Sequence, residues 1–169
     1  MSVWPDLVER MDDDITDMYR DQIRLQMHEE VSRRLQEVID PREDARVLAL
    51  SLVQLVEGSD FEVGGDMIHP DLVPALMARL GDVRAALTGH DGAITVREAS
   101  VDGSTIHLVV GLDGACVACG AAPGTLSGIQ NDLLTDSAIQ SVQFDEGILD
   151  SFDGIVREFL LEKSGVTFC

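Results

Sequence analysis

Cys116 and Cys119, three positions apart, are the residues of this sequence best suited to do chemistry. A CxxC pair serves three kinds of site. A redox dithiol opens a helix directly after a strand, usually with an aromatic before it and a proline inside. Here Gly114-Ala115 precede the pair, Val117-Ala118 stand inside it and Gly120-Ala121-Ala122 follow, and a hairpin rather than a βαβ unit leads into it. A structural zinc site takes four nitrogen or sulfur ligands. Only Cys169 is left to help, and His28, His69, His90 and His107 lie at no ligand spacing from a cysteine or from one another. A four-iron, four-sulfur cluster takes four thiolates, and two copies of the loop supply four. The ligand count thus suggests a homodimer with one shared cluster.

The surroundings of the pair suit an anionic, thiolate-bound group. Gly111 through Leu134 contains Asp113 and Asp132 as its only charges. Gly114, Ala115 and Gly120 leave the thiols uncrowded and the backbone N–H groups within reach of sulfur. The helix expected next presents its positive end, and Gly124 and Gly128 on it permit close approach of another backbone. Cys116 and Cys119 are the candidate metal ligands, with Gly114, Ala115 and Gly120 shaping the loop. Cys169 reads as incidental.

The elements that must position this loop follow from periodicity. Ala93 to Val96 and Thr105 to Leu112 are apolar, β-branched runs, and Val101-Asp102-Gly103-Ser104 between them is a hairpin signal. A helix is expected over Pro123 to Leu134, then a strand over Ile139 to Phe144. Upstream, Asp71 to Leu87 reads as a helix that Gly81 interrupts. Downstream, Ile148 to Lys163 reads as an amphipathic helix with Ile155, Phe159 and Phe152 on its apolar side. The fold class expected is α+β.

The N-terminal part is of another kind. Trp4 to Val38 contains no glycine, and Trp4, Val8, Met11, Ile15, Met18 and Leu25 follow four-three spacing, with Gln22 in the one gap. That is about three heptads of a coiled-coil seam; Val31, Leu35 and Val38 then lie on a rotated stripe. Asp40-Pro41 ends or kinks this helix, and a second helix is expected from Arg42 to Glu57, stopping at Gly58. This region suits equally a helical hairpin packed on itself or on the rest of the chain and a partner-binding or dimer-forming helix. Asp12-Asp13-Asp14, Asp17 and Asp21 read as a solvated face, since the glycine and terminal glutamate of a calcium loop are missing. The domain boundaries expected are 1–66 for the helical region, 67–146 for the cysteine domain and 147–169 for a terminal helix.

Composition narrows the partners. The chain has 169 residues, 12 Lys and Arg against 31 Asp and Glu, and a formal charge of −19. Nucleic acid and anionic membranes both reward basic patches, so neither is expected as a partner. With 45% hydrophobic residues, the chain folds rather than staying disordered. No apolar run is long enough to span a bilayer, and MSVWPDLVERMDDD has neither the basic start nor the apolar stretch of a signal peptide. Three cysteines are an odd number for a secreted disulfide scaffold. A cytoplasmic protein is expected.

The order of motifs resembles the C-terminal domain of NifU, the Nfu domain, over about Gly81 to Phe144. The matching residues are Val83-Arg84-Ala85-Ala86-Leu87, His90-Asp91-Gly92-Ala93, Val101-Asp102-Gly103-Ser104, Gly114-Ala115-Cys116-Val117-Ala118-Cys119, Thr125-Leu126 and Gly128-Ile129. The resemblance implies a small domain, not an enzyme, whose CxxC loops bind a bridging 4Fe–4S cluster between protomers and carry it to apo iron–sulfur proteins. It also leaves room for an electron-transfer or assembly subunit of a larger redox complex such as a hydrogenase. Gly120-Ala121-Ala122 stand where the family has a proline and serines, Ser127 where it commonly has a lysine, and Ala93 where it has a second glycine.

Overall fold

A computed structural model describes residues 4–61, 67–89, 91–114 and 122–169; in the first helix, side chains are described from Thr16 onward. By contact the chain forms two compact units, Met1–Val38 and Ile39–Cys169. The first is a single helix, α1 (Trp4–Val38). Its C-terminal half is laced by exposed ion pairs, Arg33 to Glu30 and Glu37, and Arg34 to Glu30. Met18, Tyr19, Ile23, Leu25 and Met27 are each more than half exposed. No helix among the described residues is long and apolar enough to cross a membrane.

The second unit is α+β. Its helices are α2 (Pro41–Leu48), α3 (Leu52–Glu57), α4 (Leu72–Ala78), α5 (Asp82–Gly89), α6 (Ala122–Leu133) and α7 (Gly154–Glu162). Three strands, β1 (Ala93–Asp102), β2 (Thr105–Asp113) and β3 (Ile139–Phe144), form a mixed sheet in the order β1-β2-β3. β1 and β2 are antiparallel, whereas β2 and β3 are parallel, with α6 as the crossover. Both sequence boundaries, 66/67 and 146/147, fall inside this unit.

Three expected helices are divided, the one over Asp71 to Leu87 at the glycine where a break is expected. The helix expected over Arg42 to Glu57 is two. Asp40 caps α2 through the Arg42 N–H at 2.9 Å, and Ser51 takes an extended conformation and caps α3 through Gln54. The helix expected over Asp71 to Leu87 breaks at Gly81, whose N–H donates to Asp132 Oδ2 at 2.9 Å. Residues 148–163 are a 3₁₀ segment (Glu146–Ser151) followed by α7, which Asp153 caps through Val156. The apolar side assigned to that helix is corrected: Ile155 is 81% and Phe159 47% exposed, while Leu160 is fully buried. Leu160 and Val156 are the residues of α7 that turn to the core, and Phe152, just ahead of the helix, packs against that core as expected.

β1 is longer than its apolar run. The register slips at Arg97, between Val96 and Glu98, so the inward positions change parity from Ile94 and Val96 to Ala99 and Val101. A bulge of this kind hides the second half of a strand from a period-two pattern. The hairpin closes through Gly103 at φ 61, the glycine-first turn that suits the twist of paired strands.

One face of the sheet is buried, with Ile106, Leu108, Val110 and Leu112 of β2 at its centre. Helices α3 and α4 pack against β1, α3 against β2 and α6 against β3. On the other face His107 Nδ1 lies 2.7 Å from Ser141 Oγ, half-buried. Beyond β3, Phe168 bridges Phe144 in parallel, and the Phe144 N–H donates to the Thr167 carbonyl at 2.8 Å.

Candidate functional site

Ala115, Cys116, Cys119 and Gly120 lie outside the described residues, and what is described is the frame on either side of them. On the upstream side β2 ends at Asp113 and Gly114 follows with φ 83. The Gly114 N–H donates to Asp113 Oδ1 at 2.7 Å. A Cβ built on Gly114 would stand 2.5 Å from the Asp91 carbonyl oxygen and 3.0 Å from Gly92 Cα. Both are backbone atoms that cannot rotate away. Only glycine fits here.

Asp91 holds its place because it closes α5. It has φ 52, the only positive φ of a non-glycine residue among those described, and aspartate is among the few residues that enter this region readily. The Gly92 N–H donates to the Leu87 carbonyl at 2.8 Å and the Asp91 N–H to the Thr88 carbonyl at 3.4 Å. That pair of bonds is a Schellman cap. The cap of α5 and the exit from β2 therefore press together through two left-handed residues, Asp91 and Gly114.

On the downstream side α6 begins at Ala122 with no acidic residue in its first turn, so the positive end of its dipole is not offset locally. A Cβ on Gly128 would stand 3.4 Å from the Val83 side chain, while one on Gly124 would meet nothing within 4 Å. Gly128 thus packs on a side chain of α5, and neither glycine is pressed by another backbone among the described residues. The Asp132–Gly81 bond ties the far end of α6 to the start of α5. Helix α5 is itself anchored to α2 by Arg84 and Asp44, 2.6 Å apart and largely buried. Residues 115–121 are strung between two ends that both lean on α5.

The two charges of residues 111–134 are both engaged with backbone amides, Asp113 beside the loop with the Gly114 N–H and Asp132 at the far end of α6 with the Gly81 N–H. Cys169 is exposed. Burial pushes its thiol up, and the negative charges of Glu98, Asp145 and Glu146 push it further. A thiol so disposed is a poor metal ligand at neutral pH, because the ligand is the thiolate. Among the described residues no group of three or more His, Cys, Asp and Glu is arranged to hold a metal ion.

Sequence reasoning missed two features near this end of the sheet. One is the role of Asp91, whose signal was the Asp-Gly after a helix, a combination that also closes helices. The other is a cleft of about 210 Å³ lined by Arg97, Gly111, Leu112, Asp145, Gly147, Ile148 and Ser151. The Arg97 guanidinium lies close over Gly111, where a Cβ would stand 3.1 Å from its Nε and 2.6 Å from Thr95 Oγ1. Arg97 is 3.8 Å from Asp145, and Thr95 Oγ1 is buried without a partner. The signal lost was the bulge that aims Arg97.

Compared with known proteins, the chain matches no family model, no curated protein and no solved structure.

Proposed function

We propose that this chain is an iron–sulfur cluster carrier of the Nfu kind. Two protomers hold a 4Fe–4S cluster as cargo between their Cys116 and Cys119 pairs and pass it to apo-proteins. The observation that carries this is the clamp between Gly114 and the Asp91-Gly92 cap. It ties together the Asp-Gly, the hairpin and the Gly-Ala-Cys, three motifs on which the family resemblance rests. A free dithiol needs no such fixed exit from a hairpin, whereas a bridging ligand set needs its loops presented alike in both copies.

The electrostatics support an anionic cargo. Thiolate-bound clusters carry negative charge, and each chain is already at −19. The carboxylates of Asp113 and Asp132 are turned onto backbone N–H groups, and the α6 N-terminus faces the end of the cysteine segment with its positive pole. Transfer is ligand exchange without net redox. Four recipient thiols lose protons and bind iron, the four carrier thiolates leave and take up protons, and the cluster moves intact.

The test is anaerobic reconstitution followed by iron, sulfide and zinc analysis. A carrier gives about four iron and four sulfide per dimer with broad visible absorption, and hands the cluster to an apo-acceptor within minutes. Cys116→Ser or Cys119→Ser abolishes the colour, while Cys169→Ser keeps it. Zinc without sulfide, or disulfide reduction with no metal bound, overturns the proposal. The separate helical unit Met1–Val38 favours one second reading, a cluster-bearing subunit anchored in a larger redox complex. Such a subunit keeps its cluster through cycles of reduction and oxidation instead of releasing it.

A further inference from the structure

Because α1 runs unbroken from Trp4 to Val38, its apolar positions form a second pattern besides the four-three seam. Every fourth position from Leu7 to Leu35 is apolar: Leu, Met, Ile, Tyr, Ile, Met, Val, Leu in turn. The row is symmetric about Asp21, so that reversing it sets Leu on Leu, Met on Val, Ile on Met and Tyr on Ile. Its described central members are open to solvent, with Tyr19 64%, Ile23 53% and Met27 64% exposed.

A row at four-residue spacing is one of the ridges by which helices interlock. On a helix with 3.6 residues per turn it drifts by about 40° per step, so one straight partner meets only its middle. Two such ridges interdigitate at a crossing of roughly −50°, the commonest packing of helices. The middle of this ridge is free of charge. Of residues 15–27 outside the row, only Thr16 and Gln26 lie within about 60° of the mean direction of the row from Ile15 to Met27, and Arg20 stands about 80° away. Asp14, Asp17 and Asp21 lie toward the opposite side, where Asp17 pairs with Arg20 and Asp21 with Arg24.

We propose that α1 crosses the α1 of a second copy of this chain, antiparallel, with the two-fold axis at Asp21 and Tyr19 of each helix against Ile23 of the other. A two-fold interface must be self-complementary, and the reversed row is. The charge argument selects the same occupant and orientation. Residues 4–21 carry seven acids and two arginines, and residues 22–38 three of each. A parallel pair would set the two acidic halves side by side, while an antiparallel pair sets each against a neutral half that holds Arg24, Arg33 and Arg34. Asp12 and Glu30 end the charge-free stretch symmetrically, where the crossing carries the helices apart. This pairing is independent of any cluster.

The experiment uses the full chain, free of iron and under reductant, in sedimentation equilibrium up to roughly 100 µM. The wild type is expected to be a dimer. Y19E and I23K are each expected to weaken it by roughly tenfold or more, and the double variant Y19E/I23K to restore it, because between two helices the new opposite charges face each other only in the antiparallel pair, in addition to the pair four residues apart that each helix makes in either state. Circular dichroism confirms that each variant keeps its helix content. A monomeric wild type overturns the proposal, as does a dimer indifferent to Y19E. A double variant that stays monomeric overturns the antiparallel crossing. The cluster proposal stands or falls separately on the iron analysis.

Discussion

Alanine at Gly114 should destabilise the second unit far more than alanine at Gly103, and the difference measures the clamp beneath the cysteine loop. Both glycines have positive φ, 83 and 61, and each substitution costs an L-residue about 1–2 kcal/mol for that conformation. The gain from restricting the unfolded chain is similar at both sites and cancels in the comparison. At Gly103 the new methyl meets nothing within 4 Å, so the conformational cost is the whole effect. At Gly114 it meets the Asp91 carbonyl oxygen at 2.5 Å. Relief requires the cap of α5 to move by most of an ångström, which breaks the bond from Gly92 to Leu87, a loss of about 1 kcal/mol, and adds strain. Gly114→Ala should therefore cost about 3–4 kcal/mol and lower Tm by roughly 10 °C, against roughly 4 °C for Gly103→Ala. Urea and thermal unfolding of the iron-free chain, at fixed protein concentration, read both. Gly114→Asn sharpens the result, since asparagine tolerates the left-handed region but carries the same Cβ; it should recover the conformational part and keep the clash, a loss of about 2 kcal/mol. Equal costs at 114 and 103, or full recovery by asparagine, would refute the clamp.

Three further outcomes are expected. Arg79 donates to Asp136 at 2.6 Å and to the Ala75, Leu48 and Leu50 carbonyls, so Arg79→Ala should cost about 2–4 kcal/mol in urea unfolding. Burial pushes the Asp136 carboxyl up, but the Arg79 guanidinium and the Ala138 N–H outweigh it and hold the carboxyl below its ordinary value. That contribution is present above the ordinary value of 3.8 and is lost as pH falls below it; an acid limb unchanged in Arg79→Ala would count against the pair. Hydrogen bonds from Arg33 and Arg34 hold Glu30 down at about 2, so its support of α1 persists to strong acid, and a carboxyl NMR titration with a midpoint near 4.5 would contradict it. Cys169, with its thiol pushed up by burial and by Glu98, Asp145 and Glu146, should alkylate more slowly than free cysteine at about pH 8.

Much of this fold was legible because its periodicities are long or its turns chemically marked. The limits of α1, the Asp102-Gly103 turn and β3 all stand where the spacing put them. What stayed hidden depends on side chains competing with the backbone. Ser51 divides a continuous apolar stretch by capping α3; the break at Gly81 was legible from the glycine, but not that a distant aspartate, Asp132, takes its N–H. The bulge at Arg97 inverted the apparent faces of β1, and Val156 and Leu160 displaced Ile155 and Phe159 as the inward residues of α7. At the candidate site, Gly114 could be named from the motif, but its reason could not. That reason is a carbonyl of Asp91, far away in sequence, and no local pattern announces it.

The parallel pairing of β2 with β3 bears on the order of folding. The β1–β2 hairpin is local and can form at its turn within microseconds. β3 cannot join it until α6 has crossed over, since parallel neighbours need such a connection; His107 and Ser141, side by side in the sheet, are 34 residues apart. The other edge of β3 then waits for Thr167 and Phe168. Cys116 and Cys119 fall in the sequence of that crossover, so the frame on its downstream side is completed only as β3 joins the sheet.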